Sequence, residues 1–288
     1  MKKQIKTIII EEFSKLTETI ENDFEKNYNK KVNNFLLNQM DKTITASMVF
    51  VSSFESKSGN TIETVAKRIA VLRYGEENVP KIVNPRHIPC NIDPSTVTGQ
   101  IVVTDVDSAN ADLRGEIAAF RQRNMDHGSG KNRVESGTTQ YTIHTYLNPL
   151  AQKYKTDEIH TKPVDLAFFD GDNWNIMEIK AGGDLDSSNA PSNVEKLLNL
   201  YVDMGIDNCL AYFATLYNKD GEGNQWKGIV KAHLNYPSMF LIGSQFWNRI
   251  LPEDIDFSDF VSIYQEALME IDLNKHINDM IKNTIEDK

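Results

Sequence analysis

Apolar residues recur at three- and four-residue steps through Ile9, Ile10, Phe13, Leu16, Ile20 and Phe24, with charges between them. That spacing predicts a helix over about residues 8–40. Residues 44–54 are apolar and β-prone, and read as a strand. Ser58-Gly59-Asn60-Thr61 then precedes a second helical stripe, Ile62, Val65, Ala66, Ile69 and Ala70. Asn60 or Thr61 is placed to cap that helix, with Glu63 in the first turn, where the helix dipole favours an acid. Prolines at 80, 85, 89 and 94 argue against regular structure over 75–100. A short strand is expected at Ile101–Thr104, a helix at 110–123, a polar loop from Asn124 to Thr139, and a helix at 141–154.

The pattern is sharpest between Pro163 and Ala214. Val164–Phe169 and Trp174–Ala181 read as strands around Asp170-Gly171-Asp172-Asn173, and Asp-Gly is a strong hairpin signal. A helix is expected from about Val194 to Met204, then a strand at Cys209–Ala214. Hairpin, helix and strand in this order predict an α/β core. The C-terminal stretch from Phe257 to Ile285 reads as an amphipathic helix or helix pair. One domain is expected over 1–288: a helical part at about 1–42, a core at about 44–245, and C-terminal helices at about 257–286.

Composition narrows the class only a little. The 288 residues are 40% hydrophobic and 25% charged, as in ordinary globular proteins. The two cysteines, Cys90 and Cys209, make neither a disulfide framework nor a zinc cluster, which points to a cytoplasmic protein. No run is long and apolar enough to predict a membrane span, and the N-terminal stretch lacks the pattern of a signal peptide. The net charge of −10 works against nucleic-acid binding, but binding needs only a local basic face.

The hairpin carries the candidate chemistry. A turn centred on Gly171 and Asp172 pairs Phe169 with Trp174 and sets Asp165 opposite Glu178; strand alternation puts Lys180 on the face of Glu178. Facing carboxylates in an apolar setting destabilise a hairpin. A divalent cation with hard oxygen ligands, Mg2+ above all, relieves that repulsion. Lys180 would then hold an attacking water or a phosphate. Acids and lysines also line ordinary solvated strand faces, and the pair Gly182-Gly183 either admits a phosphate backbone or simply ends the strand.

Pro163-Val164-Asp165, twelve residues, then Glu178-Ile179-Lys180 resembles the signature of PD-(D/E)xK nucleases. The resemblance implies a restriction-endonuclease-like mixed sheet flanked by helices. The stretch from Glu178 to Asp186 resembles, more narrowly, type II restriction endonucleases of the TdeIII kind, similar to enzymes that cut at GGNCC. Ser56 to Ala66 resembles an upstream helix of such enzymes, which would add Glu63 to the metal site. The function so implied is Mg2+-dependent, sequence-specific cleavage of double-stranded DNA. The expected site is Asp165, Glu178, Lys180 and Glu63, with Asp165, Glu178 and Glu63 as metal ligands. A duplex cut needs two such centres, so a homodimer on DNA is expected. Other readings of the same residues are a structure-selective repair or junction nuclease and a non-catalytic DNA-binding module.

Arg121, Arg123, Lys131 and Arg133, in or beside the 124–139 loop, are the expected DNA contacts. Lys227 and Lys231 around Trp226 are a weaker group. Gly128-Ser129-Gly130-Lys131 lacks the other residues of a phosphate-binding loop, and His127, His144 and His160 have no zinc spacing. Asp184 and Asp186 read as solvated loop acids or as acids that tune the metal.

Overall fold

A computed structural model describes residues 1–182 and 185–286. In chain order the helices are α1 (Lys2–Val32), α2 (Lys42–Tyr74), α3 (Ala111–Arg123), α4 (Gln140–Tyr146), α5 (Asn148–Lys153), α6 (Asn189–Met204), α7 (Ser244–Ile250), α8 (Phe257–Glu270) and α9 (Leu273–Glu286). The strands are β1 (Ile82–Val83), β2 (Gln100–Val106), β3 (Lys155–Val164), β4 (Leu166–Phe169), β5 (Trp174–Lys180), β6 (Cys209–Thr215) and β7 (Phe240–Ile242). The chain divides into two compact units, Met1–Ile69 with Pro252–Lys288, and Ala70–Leu251.

The first unit is helical. The α1 stripe is internal: Ile9, Phe13, Leu16, Ile20 and Phe24 are all buried, and Phe13 meets Tyr264 of α8 edge-on at 5.3 Å. Arg68 of α2 bridges Glu11 and Glu12 of α1 at 2.7 and 2.8 Å. The strand expected at 44–54 is instead helix. Asp41 accepts the Thr43 N–H and opens α2, whose period buries Ala46 and Val49 and continues unbroken through Gly59 to Val65, Ala66 and Ile69. A short apolar run fits either period, and here the longer register prevailed. Glu63 is therefore well inside α2, not in a first turn.

The second unit is mixed α/β, with two sheets in the orders β1-β2-β3 and β4-β5-β6-β7. β4 runs antiparallel to β5, while β5, β6 and β7 are mutually parallel. The hairpin register is the expected one, from Phe169 opposite Trp174 to Leu166 opposite Met177. Its turn needs Gly171, whose φ is +104°, and Asp170 accepts the N–H groups of Asp172 and Asn173. α6 covers one face: Val194, Leu197, Leu198 and Tyr201 share a buried cluster with Ala167, Ile176, Ala211 and Phe213.

β3 leads directly into β4, and the single residue between them is Asp165. Gln100 fastens this seam between the sheets. Its buried side-chain amide accepts the Ala167 N–H and donates to the Ala167 carbonyl, both at 2.9 Å, as a neighbouring strand would. Gln140 does the same for Ala211 of β6, at 3.1 and 2.7 Å, beyond the reach of the short β7. Each covers backbone groups that a sheet edge would otherwise leave unmet.

Candidate active site

Asp165 stands at the seam, and its Oδ2 accepts the Ile179 N–H at 2.8 Å. The carboxylate is thereby fixed against β5, one residue from Glu178. Glu178 lies on the α6-covered face of the central strand β5 and is only 1% exposed. Burying a carboxylate this deeply is costly without cationic partners. Lys180, two residues along the same strand, donates to Glu178 Oε1 at 2.6 Å. The other oxygen, Oε2, lies 2.6 Å from the ammonium of Lys196, which also lies 3.4 Å from Oδ1 of Asp165.

Asp165, Glu178 and Lys180 are thus brought together, and Lys196 joins them from α6. Two carboxylates meet two ammonium groups, so the repulsion argued from the hairpin alone is relieved within the protein. Burial opposes the charge on Lys196, yet the bond to Glu178 and the charge of Asp165 hold its pKa above the ordinary lysine value. Oδ1 of Asp165 and Oε2 of Glu178 converge on one cation position, the one that Lys196 touches. Their oxygen-only chemistry suits a hard divalent ion that keeps most of its waters. Among the described residues, no group of three or more His, Cys, Asp or Glu side chains is arranged to hold a metal. Glu63 lies in the helical unit, whereas the other three expected site residues lie in the α/β unit.

Beside the cluster opens a cleft of about 380 Å³ lined by Ser108, Arg114, Lys162, Pro163, Lys196 and Asp203, among others. Its wall includes a buried acid, Asp203, which accepts from the Ser108 hydroxyl at 2.6 Å; burial pushes its pKa up to about 6. Gly182 follows the site strand closely, and a Cβ there would meet the Tyr217 ring at 2.7 Å. Gly183 and Asp184 lie outside the described residues. Asp186 caps the chain ahead of α6, accepting from Ser188 and Asn189.

The expected DNA contacts are placed very differently from one another. Arg121 faces inward: its guanidinium donates to Glu195 of α6 at 2.8 Å and lies 3.0 Å from His233 Nδ1. Burial, then the Arg121 charge, keeps the pKa of His233 below the usual imidazole value. Arg123 and Lys131 are exposed. Arg133 is exposed too, but gives two hydrogen bonds to Asp126, at 3.0 and 2.7 Å. The loop that carries them is pinned by a bridge between His127 and Val134 and by the bond from Asp126 N–H to Ala232. Lys227 and Lys231 flank a Trp226 that is wholly buried.

A family model, that of the HinfI type II restriction endonucleases, matches residues 104–267, more than half of the chain and the whole of the acidic hairpin. The chain belongs to the HinfI family of type II restriction endonucleases. It is accordingly a site-specific deoxyribonuclease. The match supports a type II restriction endonuclease and does not extend to the TdeIII specificity that the 178–186 stretch resembles. No curated protein and no solved structure matches the chain significantly. Within the HinfI-family segment fall Asp165, Glu178, Lys180, Lys196 and the 124–139 loop; Glu63 falls outside it. Membership selects the restriction enzyme among the three readings that the hairpin allowed.

Proposed function

We propose that this HinfI-family enzyme is a magnesium-dependent PD-(D/E)xK nuclease that cuts both strands of DNA with Asp165, Glu178 and Lys180 at the reacting phosphate. The observation that carries the reading is the convergence of two carboxylates and a lysine at the Asp165 seam, in a chain of restriction-endonuclease family. Asp165 and Glu178 would hold the metal. Bound there, the ion supplies positive charge to the phosphate and lowers the pKa of a water. Asp165 is oriented by Ile179 N–H, and Glu178 by the strand that carries it, so the ligands are positioned before substrate arrives. The ammonium of Lys180 donates to a phosphate oxygen on which negative charge grows as water attacks phosphorus. In-line attack expels the 3′ oxygen and leaves a 5′-phosphate and a 3′-hydroxyl.

Phosphates on either side of the cut would lie along the cleft, against Arg114 and Lys162. Exposed Arg123, Lys131 and Arg133 would reach bases or phosphates from the loop. Incubation with phage DNA tests the whole reading. Fixed ends are expected with Mg2+, and none with excess EDTA. Undiminished cutting in the chelator would sink the metal, and ends at no constant sequence would sink site specificity. The same digest yields the target, for which the TdeIII resemblance supplies GGNCC as the candidate.

Among the described residues each chain has one such hairpin, and a duplex break needs two cuts on strands of opposite polarity. A homodimer on DNA, two-fold symmetric like a palindromic site, supplies both. Of the amphipathic segments that the sequence offers for such an interface, 8–40 and 257–285, α1 and α8 bury their stripes inside their own unit, whereas α9 has no buried residue. Light scattering of the DNA complex is expected to give two chains per duplex. One chain per duplex, still making double-strand breaks at the same dilution, would refute the dimer.

A further inference from the structure

We infer that Lys196 is a built-in cation that fills the metal position of the site and must leave before a divalent ion binds. The inference rests on the metal reading above. All four carboxylate oxygens of the pair have a donor: Ile179 N–H on Asp165 Oδ2, Lys196 on Asp165 Oδ1 and Glu178 Oε2, and Lys180 on Glu178 Oε1. These donors are not equivalent. Ile179 N–H is fixed backbone, and Lys180 belongs to the strand of Glu178. Lys196 alone comes from another element, and alone touches both carboxylates.

A divalent ion held by Asp165 and Glu178 would need the place where that ammonium sits, and two cations cannot share it. Lys196 also has somewhere to go. Its side chain is 43% exposed and borders the cleft with Arg114 and Lys162, where the substrate phosphates are proposed to lie. A phosphate there would accept the released ammonium. DNA would then raise metal affinity by drawing Lys196 out, and metal would raise DNA affinity by the same factor. Without DNA, the two lysines keep the two carboxylates neutralised and the site resists loading.

The test measures Mn2+ binding to the full-length protein without DNA, read by the electron paramagnetic resonance of the free ion. Lys196→Met is expected to bind Mn2+ tighter than wild type by roughly tenfold or more, the scale of a lost competition between close charges. Lys196→Arg should keep the weak wild-type affinity. Equal affinity in wild type and Lys196→Met overturns the inference but leaves the metal reading standing. Binding to none of the proteins, with or without DNA, removes the metal reading and the inference with it. Wild type alone gives a second measurement should the Met variant not fold. Acetylation of Lys196, followed by mass spectrometry, should rise several-fold at saturating Mn2+ while other lysines stay unchanged. Unchanged Lys196 labelling with Mn2+ demonstrably bound also overturns it.

Discussion

Lys180→Ala is expected to lower the single-turnover cleavage rate by about 10²- to 10³-fold, the cost of removing one preorganised donor from a developing charge. Folding and DNA affinity should change little. The reason lies in how Glu178 is held. Its Oε1 loses the 2.6 Å bond to Lys180, but Oε2 keeps the 2.6 Å ion pair with Lys196. The buried carboxylate is never left bare, so the strand survives the substitution. Lys180 is itself part-exposed at the end of β5, where a substrate phosphate can meet it. Its loss should therefore act on the rate and spare ground-state binding. Circular dichroism and anisotropy of labelled DNA in Ca2+ separate the two. A variant that cuts at close to the wild-type rate would show Lys180 to be only a partner for Glu178.

The largest effect on stability is expected at Trp226. It is wholly buried, with Phe240 at 5.2 Å, Phe213 at 6.1 Å and Tyr236 at 6.5 Å between ring centres. Its indole N–H donates to the Gly182 carbonyl at 3.2 Å, just past the end of the site strand. Phe213 in turn is the β6 partner of Glu178. Trp226→Ala would open a cavity under β6 and release the Gly182 carbonyl, and should cost about 3–5 kcal/mol. Trp226→Phe keeps most of the packing and loses the hydrogen bond, for about 1 kcal/mol. Urea unfolding of both variants reads these values as shifts in midpoint. An Ala variant within about 1 kcal/mol of wild type would mean that the cluster collapses to fill the space.

The acidic hairpin was legible because its register is local. An Asp-Gly turn fixes which residues face each other, and strand alternation then places Glu178 and Lys180 together without knowledge of the rest of the fold. Lys196 was not legible, since a helix position is brought to a strand only by packing. The one available signal was its place beside the buried α6 stripe of Val194, Leu197 and Leu198, early in the helix that follows the hairpin. Arg121 was misplaced on the loop surface for a reason visible in the spacing. It lies four residues after Ile117, which is buried along with Leu113, so the helix turns it inward toward Glu195. Residues 44–54 went wrong because their period is too short to separate helix from strand until the capping Asp41 is seen.

The side-chain amides of Gln100 and Gln140 stand where strands would, and this changes how the sheets exchange protons with solvent. In deuterated water the N–H of Ala167 and of Ala211 is released by rotation of a glutamine side chain, with no strand having to part. The Ala167 amide can then exchange as a small local event while the Leu166–Met177 ladder stays closed. Protection of these two amides then reports how tightly two glutamine side chains are packed, while that of the ladder amides reports the sheet itself.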